Sequence, residues 1–238
     1  MGESADNSQA DQSDHLDIPQ NHRDDEWTRE IIRRVVAAGT VAVDVGANVG
    51  DVTAALVEAA PESQHIAIEP IPELAALVRE RFPSVVVHEA ALAAEAGPDV
   101  EFVHVVSNPS YSGLRERRYD RPNEELQRIR VRTTTLDSIV PEDANVSFVK
   151  IDVEGGELGV LRGASRVLDQ RPVVVFEHGL GAADHYGTEP ATVFEIFDGK
   201  GLKVSGLDRY LDGKPHYSKA EFEDEFYSGR RWNFVAHP

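Results

Sequence analysis

At 238 residues, with a formal net charge of -18 and a pI near 4.8, the chain can bury one sizeable core but not two full domains. Such acidity repels a phosphate backbone, so nucleic acid is not expected as a partner. Zero cysteines remove disulfides, thiolate zinc sites and iron–sulfur clusters and fit a reducing compartment, while the lack of a long apolar run or signal-like start predicts a cytoplasmic protein with no membrane span.

Residues 1–24 are acidic and polar with little to bury, which predicts a disordered segment or an arm laid on a surface, followed by one domain over 25–238. From Trp27 the apolar positions Ile31, Ile32, Val35 and Val36 recur at helical spacing, and Gly39 closes that helix. Short β-branched runs then alternate with helical patterns. They are VAVDVG (41–46), HIAIEP (65–70), VVVHEA (85–90), VSFVKIDV (146–153), PVVVFEH (172–178), LKVSGL (202–207) and WNFVAHP (232–238). Helices are expected near 50–60, 71–82, 155–169 and 190–200. Apolar strands separated by helices predict an α/β fold with a doubly wound, mostly parallel sheet. Between the third and fourth units, EFVHVV (101–106) and IRVRTTTL (129–136) read as an inserted hairpin, joined by a polar loop with Pro109, Gly113 and Pro122.

The first strand runs into Gly46-Ala47-Asn48-Val49-Gly50, with Asp51 opening the next helix. A dinucleotide fingerprint would carry glycine at the middle place, and a carboxylate at that helix start repels a pyrophosphate, so NAD is disfavoured. The turn suits a ligand presenting an amino-acid carboxylate, a ribose and an adenine. Glu69, at the end of the second strand, stands where an acid accepts from both ribose hydroxyls.

Taken together, VDVGANVGDVTAAL, IEP, TTTLDSI, FVKIDVEGGELGVLRGA and RPVVVFEH resemble the FkbM family of S-adenosylmethionine-dependent O-methyltransferases, over roughly residues 40–180. The resemblance implies a class I methyltransferase (Rossmann-like) fold: a seven-stranded, mostly parallel sheet whose last strand is antiparallel, here with the inserted hairpin before strand four. It implies that Asp44, Gly46, Asn48 and Gly50 line the methionine end of the cofactor, that Glu69 takes the ribose, and that residues from Glu89 to Leu92 meet the adenine. It further implies methylation of a hydroxyl on a sugar, oligosaccharide or glycoside, with a polyketide or lipid hydroxyl as the alternative acceptor. A non-catalytic cofactor-binding module is the third reading.

Strand four ends at Asp152 and strand five at Glu177-His178, where ligands gather in an open parallel sheet. Asp152, Glu154 and Glu177 supply oxygen ligands of the kind Mg²⁺ takes, a layout that also resembles catechol-type O-methyltransferases. In the alternative, Asp152 accepts from the cofactor amine or the acceptor, with Glu154 and Glu157 in helix-dipole roles. His178 is the candidate base or metal ligand, with Asp152 the strongest functional candidate of its stretch. His185 and Tyr186 on the next loop, and Tyr111 on a lip over residues 107–113, are candidate acceptor contacts. The NPSY run (108–111) imitates an amine-methylating motif at the wrong strand. The basic cluster 115–122 reads as a solvated helix face, or less favourably as a receiver of an acidic acceptor or tail. A homodimer is the default assembly.

Overall fold

The computed structural model describes residues 17–119, 121 and 123–238, so the expectation for residues 1–16 and the place of Pro122 lie outside the described residues. The first helix, α1 (Asp17–Val35), begins ten residues before Trp27. Its early turns are therefore helical where the sequence suggested a disordered segment or arm. Their anchors are polar: Asp24 is buried and accepts from Asn233 at 3.1 Å, and Trp232 donates to Asn21 at 3.1 Å.

The chain continues through β1 (Val41–Val45), α2 (Asp51–Ala59), β2 (Ile66–Ile68), α3 (Pro72–Arg81), β3 (Val86–His88), β4 (Ala91–Leu92), β5 (Gly97–Val105) and β6 (Leu126–Thr134). Then come α4 (Leu136–Ile139), β7 (Val146–Ile151), α5 (Glu157–Arg162), α6 (Ser165–Asp169), β8 (Val173–Glu177), α7 (Pro190–Gly199), β9 (Lys203–Gly206), α8 (Leu207–Leu211), α9 (Lys219–Ser228) and β10 (Asn233–His237). One seven-stranded sheet runs β3-β2-β1-β7-β8-β10-β9. β10 pairs antiparallel with both neighbours, and the pairs among β3, β2, β1, β7 and β8 are parallel. This is the strand order of the class I methyltransferase fold, with the last strand reversed.

The inserted hairpin is longer than the alternating runs suggested, and it recruits β4 into a separate three-stranded sheet, β4-β6-β5. The helix expected over 155–169 is divided into α5 and α6. A Cβ at Gly163 would lie 2.3 Å from the Ala93 carbonyl oxygen, so that close approach admits only glycine. α9 starts with a capping box, in which Ser218 and Glu221 satisfy each other's backbone N–H groups.

The sheet is covered on both faces. Ile31 and Ile32 of α1, Leu56 of α2 and Leu207 of α8 pack with Phe148, Val173 and Val175 on one side. On the other, Val160 and Leu161 of α5, Val193 and Phe197 of α7 and Phe222 of α9 pack with Val149, Ile151, Val174 and Phe176. Alternation along β7 and β8 thus feeds two apolar layers, which is why both strands read as continuous hydrophobic runs. Among the described residues, no helix is long and apolar enough to cross a membrane.

Phe176 is fully buried, with ring centroids of Phe197 and Phe234 at 4.8 and 5.8 Å. Phe176→Ala is expected to cost about 3–5 kcal/mol, measured by denaturant unfolding.

Candidate active site

The turn after β1 is built by backbone that only small or permissive residues adopt. Gly46 has φ +83°, and a Cβ there would fall 1.8 Å from the carbonyl oxygen of Asp152, so the loops after β1 and β7 lie backbone against backbone. Asn48 sits at φ +48°. Its N–H donates to Glu69 Oε2 at 2.8 Å, while the N–H of Ile71 donates to Glu69 Oε1 at 2.9 Å. Glu69 therefore clasps the first loop to the end of β2. Asp44 is buried and accepts from Thr53 at 2.6 Å. Asp44, Gly46, Asn48, Glu69 and Leu92 line one cavity of about 240 Å³, with Ala90, Ala91 and Phe102 adding apolar wall. Gly50, at φ +89°, caps α2 beside it. Glu89 departs from expectation. β3 is an edge strand, and the side chain that follows it turns outward to Arg79 at 3.4 Å rather than into the cavity.

Asp152 follows β7, Glu177 ends β8, and Glu154 stands at φ +57° in the loop between β7 and α5. Their carboxylate oxygens lie within 4.8 Å of one another. Geometry alone would admit a hard cation, yet the protein's own charges already occupy the cluster. Lys150 Nζ is 3.1 Å from Asp152 Oδ2, and Arg117 from the inserted hairpin pairs with Glu154, both of those side chains being largely buried. Burial works against a charge on Lys150, but Asp152, Glu177 and Asp44 outweigh it and raise its pKa. Burial would likewise raise Asp152, but Lys150 prevails and lowers it. Burial, then the Asp152 charge, pushes Glu177 well above the carboxylate range. Lys150 and Arg117 thus bring two positive charges to the three carboxylates. These residues do not fit a resident Mg²⁺ unless Lys150 or Arg117 is displaced.

Glu157 is buried in the first turn of α5 and accepts from the Gly155 N–H at 3.0 Å. It holds the acidic loop in shape, as a loop brace rather than as a simple dipole partner.

Asp152 and Glu154 also border a second cavity of about 580 Å³ that adjoins the first and reaches Glu177. α1 contributes Asn21, Asp24, Asp25, Thr28 and Arg29, the hairpin loop contributes Ser110, Tyr111, Arg117 and Arg118, and the C-terminal segment contributes Arg231, Trp232 and Asn233. Tyr111 stacks on Tyr119 at 6.3 Å with the Arg117 guanidinium over its ring at 4.7 Å. The basic cluster is thus no solvated helix face. Its described residues are not helical, and Arg117 and Arg118 turn toward the cleft.

Three candidates are not brought to either cavity. His178 is fully buried, with Phe226 and Phe222 stacked on its ring at 4.7 and 6.1 Å, and burial pushes it down to about 4. β8 alternates there, so Glu177 faces the cleft and its neighbour faces the aromatic core. His185 lies exposed on a short turn, and its carbonyl accepts from Arg115 at 3.4 Å. Tyr186 is a packing strut. Its hydroxyl accepts from the Arg115 N–H at 3.0 Å, its ring would touch any Cβ at Gly155, and burial pushes its pKa up to about 12.

Sequence reasoning missed Lys150, Arg117 and Asp25. The first was signalled by a lone lysine inside the apolar run FVKID. Arg117 lay in the basic cluster 115–122 without being singled out, and Asp25 carries no local mark, because their roles arise from where the hairpin and α1 fold back.

Burial raises Glu69 and Glu157 to about 7 and Asp44 to about 6, from ordinary values of 4.5, 4.5 and 3.8. Each holds its proton more tightly when folded. Their contribution to stability is therefore full below about pH 4 and is lost as pH rises through about 7. Denaturant unfolding across that window is expected to show a shallower pH dependence for Glu157→Gln than for the wild type.

The chain matches the Methyltransferase FkbM domain over residues 44–201. No curated protein matches it. Among solved structures, a precorrin-6y C5,15-methyltransferase from Geobacter metallireducens is 14% identical, covering 74% of this chain and 71% of that one, with a TM-score of 0.43. A SAM-dependent methyltransferase from Aquifex aeolicus is 11% identical, covering 88% of each chain, with a TM-score of 0.45. A TehB-like SAM-dependent methyltransferase from Corynebacterium glutamicum is 11% identical, covering 92% and 94%, with a TM-score of 0.44. The match over 44–201 spans well over half of the chain, and on it the protein belongs to the FkbM family of S-adenosylmethionine-dependent methyltransferases.

Proposed function

We propose that the enzyme transfers the methyl group of S-adenosylmethionine to a hydroxyl of a sugar, oligosaccharide or glycoside. The observation that carries this reading is the pair of adjoining cavities meeting at Asp152 and Glu154. In the smaller one, the Gly46–Gly50 turn receives the methionine end, and Glu69, whose oxygens each keep a second acceptor position, takes the ribose. Leu92, Ala90, Ala91 and Phe102 give the adenine an apolar wall. The larger cavity is bordered by planar polar side chains, Asn21, Asp24, Arg118 and Asn233, together with the rings of Tyr111 and Trp232. Hydroxyl-rich rings are held by that combination of hydrogen-bonding groups and flat apolar faces.

S-adenosylmethionine supplies an electrophilic methyl group. The chain's part is to exclude water, to hold the hydroxyl at near-attack distance and to receive its proton. Asp152, kept ionised by Lys150, orients the acceptor as a fixed anion at the border of the cavities. Arg117 beside Glu154 and the raised pKa of Glu177 limit repulsion from the remaining carboxylates. Mg²⁺ has no part in this reading, because the cations that would otherwise be required are side chains.

Methyl incorporation into mixed oligosaccharides, run with Mg²⁺ and with a chelator, is the direct test. Turnover indifferent to the chelator is expected. Collapse in chelator with recovery on adding Mg²⁺ would return Asp152, Glu154 and Glu177 to a metal site. Turnover with apolar alcohols but not with sugars would replace the sugar acceptor by a polyketide or lipid hydroxyl. Cofactor binding without turnover on any acceptor would leave a binding module. Glu69→Ala is expected to weaken binding of S-adenosylhomocysteine by about tenfold or more, read by calorimetry.

A further inference from the structure

Among the described residues no histidine borders either cavity, and His178 is sealed among phenylalanines. Transfer has to occur where the two cavities meet, and four carboxylates stand on that border: Asp25, Asp51, Asp152 and Glu154. Asp152 is engaged by Lys150 and by the Glu177 carboxyl, and Glu154 by Arg117. Asp51 and Asp25 are both exposed, and among the described residues neither carboxylate has a hydrogen bond or an ion pair. Asp51 opens α2, where the amino end of that helix already engages a negative charge. Asp25 stands in the middle of α1 with no helix end beside it, and it borders both cavities.

We propose that Asp25 is the general base that takes the proton of the acceptor hydroxyl. The inference rests on the methyl-transfer reading above and adds a residue from α1, which lies before the matched domain of residues 44–201. Its helix is held in place by the Asp24–Asn233 and Asn21–Trp232 hydrogen bonds, so the carboxylate is presented from a fixed element. The hydroxyl oxygen's lone pair forms the bond to the methyl carbon, the carbon–sulfur pair stays on sulfur as a neutral thioether, and the hydroxyl proton passes to Asp25 and then to water. The charges that Asp25 feels are Arg29 and His22 on its own helix and Lys150 and Asp152 from β7, with Asp51 and Glu154 on the same border. Burial raises its pKa, and Arg29 opposes that rise. A carboxylate whose pKa is raised is a better base than Asp152, whose pKa Lys150 lowers.

Asp25→Asn and Asp25→Glu, prepared in the full chain, separate this role from a structural one. Calorimetry with S-adenosylhomocysteine is expected to give Asp25→Asn an affinity within about twofold of the wild type, while kcat falls by about 10²–10⁴-fold. The acid limb of the wild-type kcat profile, where protonation of Asp25 stops turnover, is expected to vanish in Asp25→Asn. Asp25→Glu is expected to restore part of the rate together with an acid limb. Full turnover in Asp25→Asn, or an unchanged acid limb, overturns the assignment while leaving the methyltransferase reading intact. A wild type that binds no S-adenosylhomocysteine overturns that reading instead.

Discussion

The buried ammonium of Lys150 is the interaction on which the active end of this sheet depends. It is placed in register with Asp44 of β1 on one side and Val175 of β8 on the other, so it sits in the middle of three adjacent strands. Each of those strands carries an acid at or just beyond its carboxyl end: Asp44, Asp152 and Glu177. Without a cation among them, burial would drive all three toward their neutral forms. With it, the pKa of Asp152 is lowered while that of Glu177 is raised, so the acids of the group are driven apart before any ligand arrives. Arg117 completes the balance from outside the sheet by crossing from the inserted hairpin to Glu154.

That crossing shows what the insertion contributes. The hairpin packs through Phe102 and Val131 onto Ile71 and Ala91, which join the ends of β2 and β3 to the accessory sheet. Its loop then reaches both cavities, and Ser110 accepts from the Asn48 side chain at 2.9 Å. One segment therefore touches the Gly46–Gly50 turn, covers the acidic loop and borders the larger cavity. The opposite wall comes from α1, clasped to the start of β10, so elements far apart in the chain close on the sheet's carboxyl edge.

The alternation of strands with helices, the mostly parallel sheet and the glycine turn after β1 were legible because they rest on local pattern: β-branched runs, a glycine turn with Asn48 at its centre, and an acid some twenty residues on. The acids after β7 and β8 were legible for the same reason. The reversed last strand was expected only from the resemblance to the FkbM family. What escaped depended on where side chains point and on which distant segment returns. Glu177 and His178 are adjacent in sequence, and only the strand's alternation decides that the first faces the cleft and the second the aromatic core. Glu89 looked equivalent to Leu92, but an edge strand sends one outward and the following short strand sends the other inward. The carboxylate cluster suggested a metal because its counter-charges come from Lys150, hidden in an apolar run, and from Arg117, a loop residue distant in sequence. α9 was not foreseen, because its mixed aromatic and charged composition gives no periodicity to follow.

The register of the sheet also bears on where this protein can be divided. The matched domain ends at residue 201, before β9 and β10, and starts inside β1. A fragment cut to those limits would leave the outer edge of β8 without its antiparallel partner and would strip Phe222 and Phe234 from the Phe176 side of the core. It would also remove Ile31 and Ile32, which cover Phe148 on the other face. The stretch that carries the family's chemistry is therefore not a unit of folding. The terminal segments that border the larger cavity also close the hydrophobic interior, so changes to that wall are constrained by the stability of the whole domain.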